Sequence, residues 1–251
     1  MTRLDRSQFL RPIAHRGLHN AARGAVENSG PAFEAALARG FGIECDLRPA
    51  RGGWPIVFHD ETLDRLVDGT GEVAGLTPAD LSRLRYRDAP TVPILSFADL
   101  LDLVGGRVPL LVEIKSEWTT PDADFLGLVT SLAASYRGPL ALMSFDPAVM
   151  ASCASLAPRI PRGIVSGLYR RGDAEGWWDD RLSPERQERL SHLLESAVAA
   201  PDFYAYHVAA LPTPVTRYVR EVQGMPVYTW TVRDETDWQT AKDWADAPIF
   251  E

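Results

Sequence analysis

The stretch Gly42–Asp60, "GIECDLRPARGGWPIVFHD", contains two apolar runs that each end in charge. In the first, Ile43 to Leu47, Glu44 and Asp46 stand two residues apart, so in a strand both side chains leave on one face. The second, Ile56 to Phe58, stops at His59 and Asp60. The turn between them, "PARGGW" (Pro49 to Trp54), is too short for a crossover helix. The second run is therefore predicted as either a strand of the main sheet or the returning arm of a hairpin.

Outward from this stretch the chain alternates short apolar strands with amphipathic helices. Strands are expected at Pro12 to Ala14, Ile43 to Leu47, Ile56 to Phe58, Leu110 to Ile114, Leu140 to Ser144, Gly163 to Ser166, Phe203 to Tyr206, Val227 to Val232 and the terminal "APIFE". Helices are expected at about Ala123 to Tyr136, Pro147 to Leu156, Pro184 to Ala199, Val215 to Gln223 and Glu235 to Trp244. A further helix in "NSGPAFEAALARG" has Asn28 as its expected cap and Gly40 as its close.

Such alternation implies parallel strands joined by right-handed crossovers, either a (β/α)8 TIM barrel or an open doubly wound sheet. The barrel is favoured because chemistry-bearing residues recur at the C-terminal ends of several strands, where barrels carry their sites. Nine candidate strands are one too many for it. The chain reads as a single domain, 1–251, with an insertion at about 60–108 over the barrel mouth that holds two helices, Pro78 to Leu84 and Phe97 to Val104, capped by Thr77 and Ser96. A polar loop after the Gly163 strand carries Trp177 and Trp178.

Composition limits the function classes. The chain has 251 residues, 45% hydrophobic and 24% charged, within the range of ordinary globular proteins. With 26 Lys and Arg against 34 Asp and Glu it is acidic, at −8, which argues against a nucleic-acid partner. The two cysteines, Cys45 and Cys153, have no metal or redox spacing. No stretch has the apolar length of a signal peptide's central region or a membrane span, so a cytoplasmic location without stable membrane insertion is expected.

Glu44 and Asp46 on the inner face of a strand would crowd two charges into a small space. Burying unpaired carboxylates costs several kcal/mol each, so a cation belongs beside them. "PLLVEIKSE" adds Glu113 and Lys115 at the end of another buried run, also spaced to share a face. Three carboxylates form an all-oxygen set suited to Mg2+, Ca2+ or Mn2+ rather than Zn2+. The plain alternative is a salt-bridge network, Lys115 to Glu113 and Arg16 to Glu44. His15 in "PIAHRGLHN" and His59 in "PIVFHDE" also end apolar runs, and beside the carboxylates they suit an acid and base pair. Arg16 and Lys115 supply the positive charge a phosphoryl group needs. Together these groups suit phosphodiester cleavage.

In order along the chain, "AHRG" (Ala14 to Gly17), "ENS" (Glu27 to Ser29), "IECDL" with "FHD", "VEIK" (Val112 to Lys115) and "YTWTV" (Tyr228 to Val232) resemble the glycerophosphodiester phosphodiesterases. The resemblance implies a (β/α)8 barrel hydrolysing glycerophosphodiesters to an alcohol and sn-glycerol 3-phosphate with a divalent cation, Mg2+ or Ca2+. By position it makes His15 and His59 the catalytic pair, and Glu44, Asp46 and Glu113 the metal ligands. Arg16, Lys115 and Trp230 become the substrate-binding residues, with Glu27 and Asn28 in a motif beside the catalytic loop. The sequence departs from the family pattern at the hairpin turn "PARGGW", at Val26 in place of the usual proline, and at the terminal "APIFE". Two other readings stay open: a lysophospholipase D-like enzyme with an apolar channel built from Leu168, Trp177 and Trp178, and a silent barrel that only binds phosphodiesters.

Overall fold

A computed structural model describes residues 4–169 and 181–251, which form two compact units. Trp177 and Trp178 lie outside the described residues.

The first unit comprises Ile13–Lys115, Asp122–Ala141 and Glu251. Strand β1 (Ile13–Ala14) runs parallel to the start of β2 (Gly42–Ala50), with Ala14 opposite Ile43. β3 (Trp54–Val57) returns antiparallel along β2, with Val57 opposite Leu47. The second apolar run of the opening stretch is thus a hairpin arm. Gly52 and Gly53, at φ 75° and 73°, supply the left-handed backbone that the turn requires. A Cβ on Gly53 would come within 2.7 Å of the backbone N of Phe125, so the hairpin tip is wedged against the start of helix Ala123–Ser135.

The chain next forms a small antiparallel pair, β4 (Arg85–Tyr86) and β5 (Ala89–Pro93), and a short helix, Pro78–Leu81, closed by a Thr77/Asp80 capping box. Phe58, Leu63, Val67, Val73, Tyr86 and Ile94 bury one another in a separate apolar cluster. The helix Phe97–Val104, expected as part of the insertion, is instead the crossover leading from β2 to the parallel strand β6 (Leu110–Ile114). Its apolar face, Phe97, Leu100, Leu101 and Val104, is buried, as a crossover helix demands. Ser29, not Asn28, stands at the cap position of helix Gly30–Arg39. Asn28 is engaged elsewhere.

The second unit comprises the described residues of Met1–Pro12, with Ser116–Pro121 and Leu142–Phe250. From Leu142 onward, β7 (Leu140–Ser144) pairs in parallel with β8 (Arg162–Ser166), and the series continues through β9 (Phe203–His207), β10 (Val227–Val232) and β11 (Ala247–Phe250). The helix expected from Pro184 to Ala199 ends at Ser191, because Ser166 Oγ and Tyr206 Oη donate to the carbonyls of Leu190 and Ser191 and satisfy its open end. Leu193 then turns left-handed, at φ 58°. Gly163 faces the buried ring of Phe203, and a Cβ there would stand 2.2 Å from a ring carbon. Gly163→Ala is expected to destabilise the protein by roughly 1–3 kcal/mol in chemical denaturation, the usual size of overpacking.

Counting β1, β2 and β6 to β11 gives eight parallel strands with helices between them, the (β/α)8 class. The ninth candidate is the antiparallel β3. Cys45 and Cys153 are both buried free thiols. Among the described residues no helix is long and apolar enough to cross a membrane.

Candidate active site

The site grows from an arrangement along one edge of β2. β6 occupies the opposite edge over Ile43 to Leu47, and so β1 and β3 share the edge that remains. They approach from opposite ends. β1 stops opposite Ile43, while β3 ends at Val57 and the next residue, Phe58, donates its N–H to the Asp46 carbonyl at 3.0 Å. The interval left between them spans Glu44 to Asp46. His15 and Arg16 enter it from one end and His59 from the other.

Glu44 and Asp46 project to the same face of β2, and Glu113, opposite Asp46 in register, joins them from β6. All three are buried, and each offers a carboxylate oxygen within 4.8 Å of the others'. Ions bound at 2.0–2.6 Å hold their oxygen ligands at separations up to about 5 Å, so one hard cation fits this set. Lys115 Nζ lies 2.9 Å from Asp46 Oδ1 and donates to Glu113 Oε1 at 2.5 Å. Arg16 Nε is 3.3 Å from Asp46 Oδ2, and its Nη1 donates to Glu27 Oε1 at 2.7 Å. The Arg16 guanidinium therefore serves Asp46 and Glu27, and among the described residues the hydrogen bond to Glu44 comes from the backbone N–H of Arg16, at 2.9 Å.

The salt-bridge alternative thus holds for Lys115 and Glu113 and fails for Glu44. Glu44 Oε1 is buried without a hydrogen-bond partner. Burial first, then the charges of Asp46 and Glu113, push the Glu44 carboxyl well above its ordinary range. Glu113 rises too, through burial against the opposing pull of Lys115. Burial opposes ionisation of Asp46 as well, but Lys115, His59 and Arg16 outweigh it and hold that group well below its ordinary range. Among the described residues no Lys or Arg side chain pairs with Glu44, and a divalent cation would supply the missing partner charge.

The backbone is strained where it serves this cluster. Arg16 and Asn28 sit at φ 54° and 57°, and the Asn28 N–H donates to the Arg16 carbonyl at 2.9 Å. The Asn28 amide donates to Asp46 Oδ2 at 2.8 Å, and its Oδ1 accepts the Asp46 N–H at 3.2 Å. This double contact takes the side chain that was expected to cap the helix.

Each histidine is braced through Nδ1. His15 Nδ1 is 2.7 Å from Glu251 Oε1, and His15 Nε2 is 3.9 Å from Glu44 Oε2. His59 Nδ1 is 2.7 Å from Asp60 Oδ1. A carboxylate at Nδ1 selects the tautomer whose Nε2 is open for proton transfer. Burial lowers the His15 pKa against the pull of Glu251. Burial and Lys115 bring His59 down to about 4.

The first unit thus gathers seven of the eight expected site residues: His15, Arg16, Glu44, Asp46, His59, Glu113 and Lys115. Trp230 belongs to the second unit, where its ring packs edge-on against Phe145 at 5.3 Å and lies 4.8 Å from His207, and its Nε1 donates to the Ala205 carbonyl at 3.2 Å. Three participants went unassigned in the sequence reading. Asp60 had a local signal, since it follows His59 directly. Glu251 and Arg65 had none: Glu251 meets His15 from 236 residues away, and Arg65 joins Asp60, five residues away, to Glu27, 38 residues away.

The model of the glycerophosphoryl diester phosphodiesterase family matches residues 15–250. The glycerophosphodiester phosphodiesterase of Bacillus subtilis is 26% identical over 266 residues, covering 95% of this chain and 82% of that one. The enzyme of the same name from Caldanaerobacter subterraneus is 28% identical over 175 residues, covering 66% and 69%. Among solved structures, the Oleispira antarctica phosphodiesterase in complex with the product sn-glycerol-3-phosphate has a TM-score of 0.73 at 21% identity, covering 96% of this chain and 92% of that chain. The glycerophosphodiester phosphodiesterase of Thermotoga maritima has a TM-score of 0.69 at 20% identity, covering 96% and 93%. At these identities the structural likeness is one of fold.

Proposed function

The chain belongs to the glycerophosphoryl diester phosphodiesterase family, and on that premise we propose that it hydrolyses glycerophosphodiesters to an alcohol and sn-glycerol 3-phosphate with the help of a divalent cation, Mg2+ or Ca2+. One observation carries the reading. A buried three-carboxylate cluster that fits a hard cation lies between two histidines, each braced at Nδ1 by its own carboxylate.

Glu44, Asp46 and Glu113 would hold the cation, which when bound supplies Lewis-acid polarisation of a phosphoryl oxygen. Arg16 and Lys115 present fixed positive charge to the substrate phosphate and stabilise the negative charge that grows on it. One histidine takes the proton of the attacking hydroxyl at Nε2, and the other delivers a proton to the departing alkoxide. The same pair serves whether the attacking oxygen comes from water or from the neighbouring glycerol hydroxyl. Trp230 is assigned to the glycerol end of the substrate. Its support is a buried indole whose orientation is fixed by the bond to Ala205.

The test is a product assay with glycerophosphocholine, glycerophosphoethanolamine, glycerophosphoglycerol and a lysophospholipid, each with Mg2+, Ca2+ or chelator. Cation-dependent release of sn-glycerol 3-phosphate from the first three is expected. Release from none of them with either ion would overturn the reading, and cleavage of the lysophospholipid alone would point to the lysophospholipase D-like activity.

A further inference from the structure

Arg65 lies in the segment between β3 and β4 and belongs to none of the groups assigned above. It joins the two halves of the site. Its Nε and Nη2 form a fork on Asp60, at 2.6 Å to Oδ2 and 3.0 Å to Oδ1. Its Nη1 and Nη2 form a second fork on Glu27, at 2.7 Å to Oε2 and 2.7 Å to Oε1. Asp60 Oδ1 is the atom that meets His59 Nδ1, and Glu27 Oε1 is the atom that accepts from Arg16 Nη1. A single planar guanidinium thus sets both carboxylates, and through them a proton-transfer histidine and a phosphate-binding arginine.

We propose that Arg65 is a positioning residue that couples the orientation of His59 to that of Arg16, so that proton transfer and phosphate binding are tuned together from the inserted segment. The inference rests on the functional reading above. Arginine is required by geometry, because two carboxylates are gripped in one plane by two pairs of N–H donors, which a lysine ammonium cannot reproduce. Arg65 is itself anchored. Arg87 donates to the carbonyls of Asp64 and Val67 at 3.0 Å each, and so fixes the backbone on both sides of it without touching Asp60 or Glu27.

The test compares Arg65→Gln, Arg65→Lys and Arg87→Gln in the full chain. For Arg65→Gln, kcat is expected to fall about tenfold or more while KM for a glycerophosphodiester rises several-fold, and Arg65→Lys is expected not to restore either. Imidazole 15N shifts of the resting protein provide a readout independent of turnover. The wild-type His59 ring should hold its proton on Nδ1, and Arg65→Gln should shift it toward a mixture of tautomers. A double-mutant cycle adds the coupling: Asp60→Asn and Glu27→Gln should be non-additive with Arg65 present and additive in the Arg65→Gln background.

Three results would overturn the proposal: kcat and KM within twofold of wild type in Arg65→Gln, an unchanged His59 tautomer in that variant, or equal kinetic losses in Arg87→Gln with its His59 tautomer unchanged, which would mark a general loosening of the segment that does not act through Arg65. If the wild-type protein cleaves no glycerophosphodiester while the tautomer still responds to Arg65→Gln, the functional reading fails and the positioning role stands.

Discussion

Removing the imidazole of His59 is expected to lower turnover of a glycerophosphodiester by roughly 100-fold or more, the ordinary size of a lost acid or base group. The expectation follows from the ring's setting. Its Nδ1 is taken up by Asp60, its burial disfavours the charged form, and its strand arm returns it to the interval beside Asp46. His15→Ala should cost a similar factor, since His15 stands at the other side of that interval with Glu251 behind it. If the two histidines act on one proton-transfer sequence, their losses will not multiply, and the double variant will be little worse than the poorer single one. Steady-state kinetics on the three variants checks this. Near-normal turnover in either single variant would remove that histidine from the chemistry.

The second large effect concerns the carboxylates. Chelation of the purified protein should abolish turnover, and addition of Mg2+ or Ca2+ should restore it. Glu44→Gln is the sharper substitution, because it keeps the shape of the side chain and removes its charge. Without a cation this change should relieve the cluster, since the Glu44 carboxyl is raised by burial and by its neighbours Asp46 and Glu113. The variant is therefore expected to be at least as stable as the cation-free wild type in thermal unfolding. With a cation the order reverses: the wild type should gain stability by mass action, and Glu44→Gln should gain much less. Full turnover in excess chelator would contradict the role of the cluster.

Much of this was legible in the sequence because it is local. Two carboxylates at a spacing of two, in a run buried on both faces, fix a shared face whatever the tertiary structure does. The strand and helix alternation narrows the fold to a (β/α)8 barrel or an open doubly wound sheet, and the chemistry-bearing residues at the ends of several strands favour the barrel. The assignment of helix Phe97–Val104 to the insertion failed because a capped amphipathic helix looks the same whether it belongs to an excursion or to a crossover. Only its place between β2 and the parallel β6 distinguishes the two. Asn28 misled for a related reason: Asn is a good cap and also a good two-handed partner, and the competing contact with Asp46 comes from 18 residues away. The helix predicted over Pro184 to Ala199 is cut short by hydroxyl groups from Ser166 and Tyr206, and the periodicity of the segment itself carries no sign of them.

β1 and β3 meeting along one edge of β2 has a consequence for how changes far from the chemistry are felt. The position of His59 is counted out in residues from the hairpin tip. A slip of one residue in the β2 to β3 register would displace it by about 3.4 Å and turn its side chain to the opposite face. In a hairpin the turn sets the register, and here its Gly53 packs against the first turn of the helix that follows β6. The tip therefore works as the zero mark of a ruler, and errors made there reappear at full size at the far end of the arm.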